Sequence, residues 1–355
     1  MAGYQWVTFG NENLDDDHLQ RDPLAAVAHA QAMEKAGVDQ AWVAEAYSFD
    51  AVSTLGFLAA STNTLELVSG ILPIYSRTPT LTAMTAATLD SLSQGRFSLG
   101  LGASGPQVIE GWHGVPYNRP LGRTREVVEI CRKVWKRERL EHDGRNYQMP
   151  LLEGGTGLGK PLKLINTPFR EDIPIYIASI GEKNVELTAE IANGWIPVFF
   201  HPEKARTAWG ASLDAGMAKR DESLGQLEII AGGFAAITDT EEKAAQLRNF
   251  GRASAALYIG GMGAKSKNFY NTLFQRYGYE EEAEKIQDLY LDGKKDEAAA
   301  LIPDEFLAQT NLVGTEGFIK EQLAKYAEAG VTSLSLNPVG EDPLEVISKI
   351  KSWMP

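Results

Sequence analysis

Cysteine is almost absent from this chain of 355 residues, in which Cys131 is the single one. One thiol cannot form an internal disulfide, and it cannot supply a cysteine-rich zinc or iron–sulfur centre. Histidine occurs five times without metal-ligand spacing, at His18, His29, His113, His142 and His201. The sequence therefore predicts neither a disulfide framework nor a metal site.

An excess of positive charge and long apolar runs are also lacking. The chain has 34 basic and 47 acidic side chains, and a formal net charge of −13 repels phosphate backbones and anionic lipid. No window approaches about 18 consecutive apolar residues, and residues 1–17 lack the basic and apolar stretches of a signal peptide. We expect a cytoplasmic protein that binds neither nucleic acid nor a membrane.

What is present is a repeated unit of a short apolar strand and a longer amphipathic helix, with helices predicted for example over 51–60 and 343–353. The eight predicted strands cover residues 5–9, 40–44, 65–71, 96–101, 173–178, 194–198, 228–232 and 333–336. Parallel neighbours need helical crossovers, so the alternation predicts a parallel α/β sheet. An open doubly wound sheet uses such units too, but eight regular units with a closing helix favour a (β/α)8 TIM barrel.

Two segments do not fit the alternation. Residues 142–172 are rich in Gly and Pro and too long for an ordinary connection, so we expect a surface excursion between the fourth and fifth strands. Residues 264–300 carry helical patterns and indicate a helical insertion after the seventh strand. No linker divides the chain, and residues 1–355 are interpreted as one domain.

Two glycine-rich stretches resemble nucleotide motifs but lack their context. Residues 100–105 fit G-x-G-x-x-G after a strand, yet no long helix follows directly, as a dinucleotide fold requires. Residues 154–160 approach a P-loop, but Pro161 stands where a magnesium-binding hydroxyl is needed. The glycines at 100–105 still indicate a close backbone approach at the carboxyl end of a strand, where barrel ligands bind.

A third turn carries a more useful signal. Ser179, Ile180 and Gly181 lie between a predicted strand and a predicted helix. A turn of small residues at a helix N-terminus presents free backbone N–H groups to an anion, although a simple helix cap has the same pattern.

These pieces together resemble the luciferase-like superfamily, in particular its branch that depends on the deazaflavin coenzyme F420. The resemblance covers nearly the whole chain and is most specific in residues 69–117, which begin SGILPIYSRTP, and in 173–195. Residues 260–306 and the following TNLVG are similar to methylenetetrahydromethanopterin reductases. The resemblance implies a (β/α)8 barrel that binds the deazaflavin at the carboxyl ends of its strands and transfers a hydride at ring carbon 5.

The resemblance also implies a set of cofactor-binding residues. Ser69, Gly70 and Ile71 are expected to flank the ring, with a cis peptide between the last two, and the turn at Ser179 to hold the phosphate. Glu45, at the end of the second strand, is expected to contact the pyrimidine side of the ring or the ribityl chain. The remaining residues implied at the cofactor are Ala103, Ser104, Gly105, Ile180, Gly181, Gly194 and Trp195.

One position departs from the sugar-phosphate dehydrogenases of the superfamily, which have a histidine where this chain has Ala46. The preferred hypothesis is therefore a methylenetetrahydromethanopterin-reductase-like enzyme that transfers a hydride between F420 and a small organic substrate. Glu45 is the provisional catalytic group, and Glu110 and His113 are weaker candidates. The alternatives are a two-component monooxygenase that uses reduced FMN and oxygen, and a non-catalytic barrel that binds either cofactor. Relatives suggest a homodimer or homotetramer.

Overall fold

The computed structural model describes residues 2–6, 23–263, 265, 267–340 and 342–354. A curled sheet of parallel strands forms its centre. Its strands are β1 (Ala2–Trp6), β2 (Gln40–Val43), β3 (Glu66–Ser69), β4 (Phe97–Gly102), β5 (Ile175–Ala178), β6 (Gly194–Ile196), β7 (Glu228–Ile237) and β8 (Ser333–Pro338). Each strand pairs with the next, and β8 pairs back with β1, so the pairings form a ring. The predicted α/β fold with a parallel sheet is confirmed.

Helices surround this ring, and their ends carry ordinary start and stop signals. Asp50 caps the helix that begins at Ala51 by accepting hydrogen bonds from the N–H groups of Val52 and Ser53. The helices are α1 (Pro23–Lys35), α2 (Ala51–Ser61), α3 (Pro79–Leu92), α4 (Pro106–Gly111), α5 (Pro120–Trp135), α6 (Glu182–Ile191), α7 (Ala205–Met217), α8 (Glu241–Arg248), α9 (Phe250–Ala256), α10 (Phe269–Arg276), α11 (Glu280–Leu291), α12 (Lys295–Ala300), α13 (Asp304–Gln309), α14 (Glu316–Glu328) and α15 (Pro343–Trp353). None of the described helices combines the length and apolar composition that a membrane crossing requires.

Several strand bounds differ from the prediction, most of all at β7, which runs to Ile237 rather than to residue 232. Strand β1 begins at Ala2 rather than at residue 5, because its pairing with β8 runs from Ala2 opposite Ser333 to Gln5 opposite Leu336. Residues 7–9 of the predicted strand lie outside the described residues. A further parallel strand, Leu312–Gly314, pairs with the last three residues of β7 and was not predicted, since three residues are too few to show a period.

The inside of the ring is filled by large side chains from five strands. Trp42, Val68, Tyr176, Ile196 and Ile230 form one buried cluster. The rings of Trp42 on β2 and Tyr176 on β5 stack with centroids 5.7 Å apart, so this contact crosses the ring between strands that are not neighbours. The inside is therefore a packed core and not a channel, as is usual for eight parallel strands.

A polar network seals the end of the ring at which the strands begin. Gln40 donates to Glu66 at 2.7 Å, and the indole N–H of Trp42 donates to Gln40 at 3.1 Å. The hydroxyl of Tyr176 donates to Glu228 at 3.1 Å, while burial and the nearby Glu66 raise the pKa of Glu228. These side chains occupy the end of the ring at which the strands begin, and ligands of eight-stranded parallel barrels bind at the opposite end, where the strands terminate.

Both irregular segments make hydrogen bonds to the elements that surround the sheet. In 142–172, the strands His142–Asp143 and Gln148–Met149 form an antiparallel pair, and Glu126 of α5 accepts hydrogen bonds from the N–H groups of Asn146 and Tyr147. Residues 151–160 of this segment are exposed. Helices α10–α12 occupy much of 264–300, and Lys204 at the start of α7 donates to the carbonyl of Tyr277 at 2.5 Å.

Candidate functional site

The carboxyl ends of β3 and β4 approach each other unusually closely. A Cβ atom at Gly100 would lie 1.8 Å from the carbonyl oxygen of Ser69, and one at Gly102 would lie 2.1 Å from Cδ1 of Ile71. The close backbone approach predicted from these glycines is therefore made to the chain itself. The peptide bond between Gly70 and Ile71 is cis, as predicted.

Ser69 uses its side chain to join these two strands. Its hydroxyl donates to the carbonyl of Gly100 at 3.0 Å and accepts from the N–H of Gly100 at 2.9 Å, and the residue is fully buried. The N–H of Gly70 donates to the carbonyl of Val43 at 2.7 Å. Ser69 is thus a buried link between the ends of β3 and β4.

Ile71 and Ala178 lie on top of the buried cluster inside the ring. Both are half-buried, and both pack against that cluster from the ends of β3 and β5. They form an apolar floor at the end of the ring where the strands terminate. A flat ring system laid on this floor would contact carbon atoms from two strands.

The loop after β4 lies beside this floor. Ser104 has a positive φ of 57° and is exposed, and its carbonyl accepts a hydrogen bond from the hydroxyl of Tyr117 at 3.2 Å. Ala103 and Gly105 are half-buried, and Gly105 precedes α4 without a side-chain cap. The loop that the resemblance assigns to the cofactor is thus held in place by Tyr117, twelve residues past Gly105.

In the turn at Ser179, the serine hydroxyl contacts the protein itself, although the resemblance implies that the turn holds a phosphate. The Ser179 hydroxyl is buried and lies 2.8 Å from the hydroxyl of Thr188 in α6, so it fastens the turn to its own helix. Gly181 is the N-cap of α6 and makes no side-chain cap hydrogen bond. The anion-binding capacity of this turn consequently rests on the backbone N–H groups of the first turn of α6.

Gly194 and Trp195 lie behind that turn. A Cβ atom at Gly194 would lie 2.4 Å from the ring of Tyr176, so glycine is required there by the packing inside the ring of strands. Trp195 is fully buried, and its indole N–H donates to the carbonyl of Ser179 at 3.0 Å. Trp195 therefore supports the turn, and the structure gives it no exposed surface with which to contact a cofactor.

A cation that the sequence did not single out lies next to the turn. Arg276, the last residue of α10, contacts Glu182 at 2.8 Å and donates to the carbonyl of Ala208 at 3.2 Å. Phe269 of the same helix would lie 3.3 Å from a Cβ atom at Gly181. Helix α10 of the segment 264–300 is thus part of the site, a placement that no local sequence pattern signals.

Glu45 is engaged by a second arginine. Its two carboxylate oxygens accept from Arg77 at 2.5 and 2.8 Å, and one also accepts from the N–H of Ala51 at 3.0 Å. The pair is largely buried, with side-chain exposures of 8% for Glu45 and 14% for Arg77, and the hydrogen bonds to Glu45 raise the pKa of Arg77. This geometry joins the end of β2 to the segment after β3 and leaves the carboxylate little capacity to act as a free base.

The two weaker candidates lie in the loop that contains α4. Glu110 accepts from the N–H of Tyr117 at 2.9 Å, which closes the loop. Nε2 of His113 is buried and has no hydrogen-bond partner among the described residues. Neither side chain is brought into contact with Glu45, and their catalytic roles stay predictions.

His201 is another histidine to which the sequence assigned no role. It is 1% exposed, packs beside the ring of Tyr277 at 5.5 Å, and has no partner for either ring nitrogen among the described residues. Burial, reinforced by Lys204, lowers the pKa of His201 to about 4. It lies just after β6 and is a neutral core residue at neutral pH.

The fold and this site together define a class of protein. The family model of luciferase-like monooxygenases matches residues 5–333. The chain belongs to that family.

Three individual proteins show the similarity in more detail. A putative coenzyme F420-dependent oxidoreductase of Mycobacterium tuberculosis is 42% identical over 305 residues, which are 85% of this chain and 87% of the relative. The 5,10-methylenetetrahydromethanopterin reductase of Archaeoglobus fulgidus is 29% identical over 330 residues, 91% of this chain and 92% of that protein. The solved structure of the coenzyme F420-dependent tetrahydromethanopterin reductase of Methanopyrus kandleri superposes with a TM-score of 0.78 at 21% identity, covering 99% and 98% of the two chains.

Proposed function

We propose that the protein is a coenzyme F420-dependent oxidoreductase that transfers a hydride between ring carbon 5 of the deazaflavin and a small organic substrate. The observation that carries the proposal is the 42% identity, over 85% of the chain, to a relative named as an F420-dependent oxidoreductase. The geometry at the carboxyl ends of the strands is consistent with it, since an apolar floor and a helix N-terminus lie at the same end of the ring.

The residues around Gly181 fit a phosphate. The N–H groups of Gly181, Glu182 and Lys183 stand at the positive end of the α6 dipole, and no side chain caps them. Arg276 offsets the charge of Glu182, which would otherwise repel an anion at this position. We propose that these groups hold the cofactor phosphate, with Ser179 and Trp195 as supports of the turn.

The residues around Ile71 fit a planar ring. Ile71 and Ala178 would contact one face, and Ala103, Ser104 and Gly105 would border its edge. The absence of side chains at Gly70 and Gly105 leaves room for a ring to approach the backbone. Glu45, in this proposal, acts through Arg77 as a positioning residue for the loop after β3 and does not exchange a proton with the substrate.

The bound deazaflavin would supply a hydride donor or acceptor at its carbon 5. The protein's own part is to hold two carbon atoms in contact and to keep water away from them. The apolar floor of Ile71 and Ala178 would keep water from one face of the ring, and pre-positioning of two reacting atoms is worth up to about 7–11 kcal/mol in favourable cases. No strong base is required at Ala46 for the addition of a hydride to an electrophilic carbon.

The experiment compares reduction with and without oxygen. We expect the purified protein with reduced deazaflavin to reduce an organic acceptor at equal rates in air and under nitrogen, because carbon at position 5 favours hydride transfer. A strict requirement for oxygen, with oxygen from O2 found in the product when reduced FMN is supplied, would favour the monooxygenase. Absence of turnover despite tight deazaflavin binding would favour the non-catalytic barrel.

A variant pair tests the phosphate site separately. Gly181→Leu should weaken binding of the deazaflavin at least about tenfold, because the added side chain would press on Phe269 and cover the N–H groups of α6. Gly317→Leu is the matched control, since a Cβ atom at Gly317 meets nothing within 4 Å. Equal dissociation constants for the two variants would show that the turn is only a helix cap.

Three broader expectations stay proposals. We propose that residues 1–355 form one domain, that the protein is a homodimer or homotetramer, and that it acts in the cytoplasm on a small molecule. Sedimentation equilibrium tests the oligomeric state, and a monomer at micromolar concentration would contradict it.

A further inference from the structure

Aromatic side chains from separate segments pair with one another near the end of the ring at which the strands terminate. Tyr47 follows β2 and lies 6.5 Å from Trp112, which follows α4. Phe199, which follows β6, lies 5.7 Å from Tyr258, and Tyr258 lies 4.8 Å from Tyr270 of α10. We call these five residues the aromatic rim, because four of the strand-end or insertion segments that surround the site contribute to it.

Part of the rim is open to solvent. Tyr47 is 66% exposed and Trp112 is 68% exposed, although rings of this size bury most of their surface in ordinary cores. Exposed apolar surface that is concentrated at the entrance of a site is typical of a ligand contact. The two rings are tilted by 55°, an arrangement that leaves a face of each available to a third ring.

The other part of the rim carries hydroxyl groups. The hydroxyls of Tyr258 and Tyr270 make no hydrogen bond to the described residues. Burial raises the pKa of both, with Tyr47 beside Tyr258 and with Tyr258 and Tyr117 beside Tyr270. Both phenols are therefore protonated at neutral pH, and each has a proton available for a hydrogen bond to a ligand.

The charged groups that flank the rim are already engaged. Arg77 is held by Glu45, Asp50 accepts from the first N–H groups of α2, and Glu110 accepts from the N–H of Tyr117. Arg77 would have to abandon its largely buried partner in order to bind an anionic substrate, and the carboxylates of Asp50 and Glu110 would repel one. The hydroxyls of the rim are consequently the polar groups that can meet a substrate oxygen at least cost.

We propose that the aromatic rim binds an aromatic conjugated carbonyl compound, with its ring against Tyr47 and Trp112 and its carbonyl oxygen at the hydroxyls of Tyr258 and Tyr270. This inference rests on the proposed function, which supplies the hydride.

In the reaction, hydride adds to the β-carbon of the enone, the C=C electron pair shifts to the carbonyl, and the oxygen takes a proton from the tyrosine hydroxyl. The enol then tautomerises to the saturated ketone, the deazaflavin is oxidised, and the tyrosine regains a proton from water.

The first test uses two matched acceptors, trans-4-phenyl-3-buten-2-one and its cyclohexyl analogue, with reduced deazaflavin. The planar phenyl compound should have a KM at least about fivefold lower, since aromatic pairing adds to simple burial. Trp112→Ala should remove this preference without changing the dissociation constant of the deazaflavin. Equal KM values for the two acceptors in the unmodified protein would overturn the ring site.

The second test removes the hydroxyls and keeps the rings. Tyr258→Phe combined with Tyr270→Phe should lower kcat for the phenyl enone about 100-fold, within the range of general acid catalysis. The control is Tyr279→Phe, because the Tyr279 hydroxyl is buried without a partner among the described residues and lies at the turn between α10 and α11. An unchanged kcat for the double variant would overturn the assignment of the hydroxyls.

Failure of this inference is distinguishable from failure of the proposed function. If the deazaflavin binds and other acceptors are reduced but the phenyl enone is not, this inference is wrong and the proposed function stands. If the deazaflavin does not bind, the proposed function is wrong. In that case, equilibrium dialysis measures binding of the phenyl enone to the aromatic rim of the protein without cofactor. Binding that is lost in Trp112→Ala supports the site. Absence of binding to the unmodified protein refutes it.

Discussion

The buried ring of His201 should make the stability of the protein depend on pH between about pH 4 and pH 6.5. Its pKa falls from 6.5 to about 4 on folding because the ring is removed from water, with neither nitrogen hydrogen-bonded to a described residue. The unfolded chain binds a proton at His201 below about pH 6.5, whereas the folded chain does so only near pH 4. Stability is therefore fully present above pH 6.5 and is lost as the pH falls toward 4.

The size of the effect follows from the shift. Between pH 6.5 and 5 the unfolded state alone gains the proton, and about 1.5 units at 1.36 kcal/mol per unit give a loss of about 2 kcal/mol. His201 is 1% exposed, so solvent screening does not reduce this figure substantially. Lys204, which lies close to the ring, acts in the same direction as burial.

The perturbation is His201→Leu, which replaces an imidazole without partners by an apolar side chain. At about pH 7.5 we expect the free energy of unfolding to change little, because no hydrogen bond to a described residue is lost. At about pH 5 the variant should be more stable than the unmodified protein by about 2 kcal/mol. Urea unfolding followed by circular dichroism at both pH values measures the difference.

His29→Gln is the control for this experiment. Burial also lowers the pKa of His29, but the variant retains His201 and should retain its pH-dependent loss of stability. If His201→Leu loses as much stability between pH 7.5 and 5 as the unmodified protein does, the buried neutral imidazole is refuted as the cause.

Two further predictions concern packing and charge. Gly100→Ala should destabilise the fold by about 3 kcal/mol or more in urea unfolding, since its Cβ atom would lie 1.8 Å from the Ser69 carbonyl oxygen; a change within about 0.5 kcal/mol would contradict the close approach. Arg170→Ala should lower the free energy of unfolding, measured in urea, by about 3–5 kcal/mol. The substitution leaves the fully buried carboxylate of Asp90 without its partner at 2.5 Å. The control is the exposed ion pair of Arg206 with Asp214, and Arg206→Ala should lower the free energy of unfolding by less than about 1 kcal/mol. Equal losses of stability for the two arginine variants would refute the claim that Arg170 compensates a buried charge.

Much of the fold could be predicted because the strand–helix alternation is strong where helices are long. The helices predicted over 51–60 and 343–353 are present as Ala51–Ser61 and Pro343–Trp353, each with an aspartate at its N-cap. Short strands were harder to predict from the sequence. Strand Leu312–Gly314 shows no period, and the start of β1 contains Ala and Gly, whose low β-propensity is overcome by pairing with β8.

At the candidate site the cis peptide between Gly70 and Ile71 is confirmed, and the cofactor-binding roles of the other residues stay predictions. The turn at Ser179 and the cis peptide at Gly70 lie at the carboxyl ends of β5 and β3, the two strands that flank β4. The hydroxyl of Ser179, however, bonds to Thr188, and Trp195 is buried beneath the turn. Sequence motifs indicate which backbone surrounds a ligand, but the direction of a side chain depends on packing with residues far away in the chain.

The contributions of Arg77 and Arg276 could not be predicted for the same reason. Each is separated from its carboxylate partner by tens of residues, 32 for the pair of Arg77 with Glu45. No local pattern encodes such a contact, because helices and loops bring the partners together only in the folded chain. The aromatic rim is a similar case, since its members come from separate segments of the sequence.

The measurement that tests the central claim most directly is a binding titration of the purified protein with the deazaflavin and with FMN, each oxidised and reduced. We expect tight binding of the deazaflavin only, lost in Gly181→Leu and retained in Gly317→Leu. Tight binding of FMN together with weak or no binding of the deazaflavin would contradict it, because the site would then serve a different cofactor.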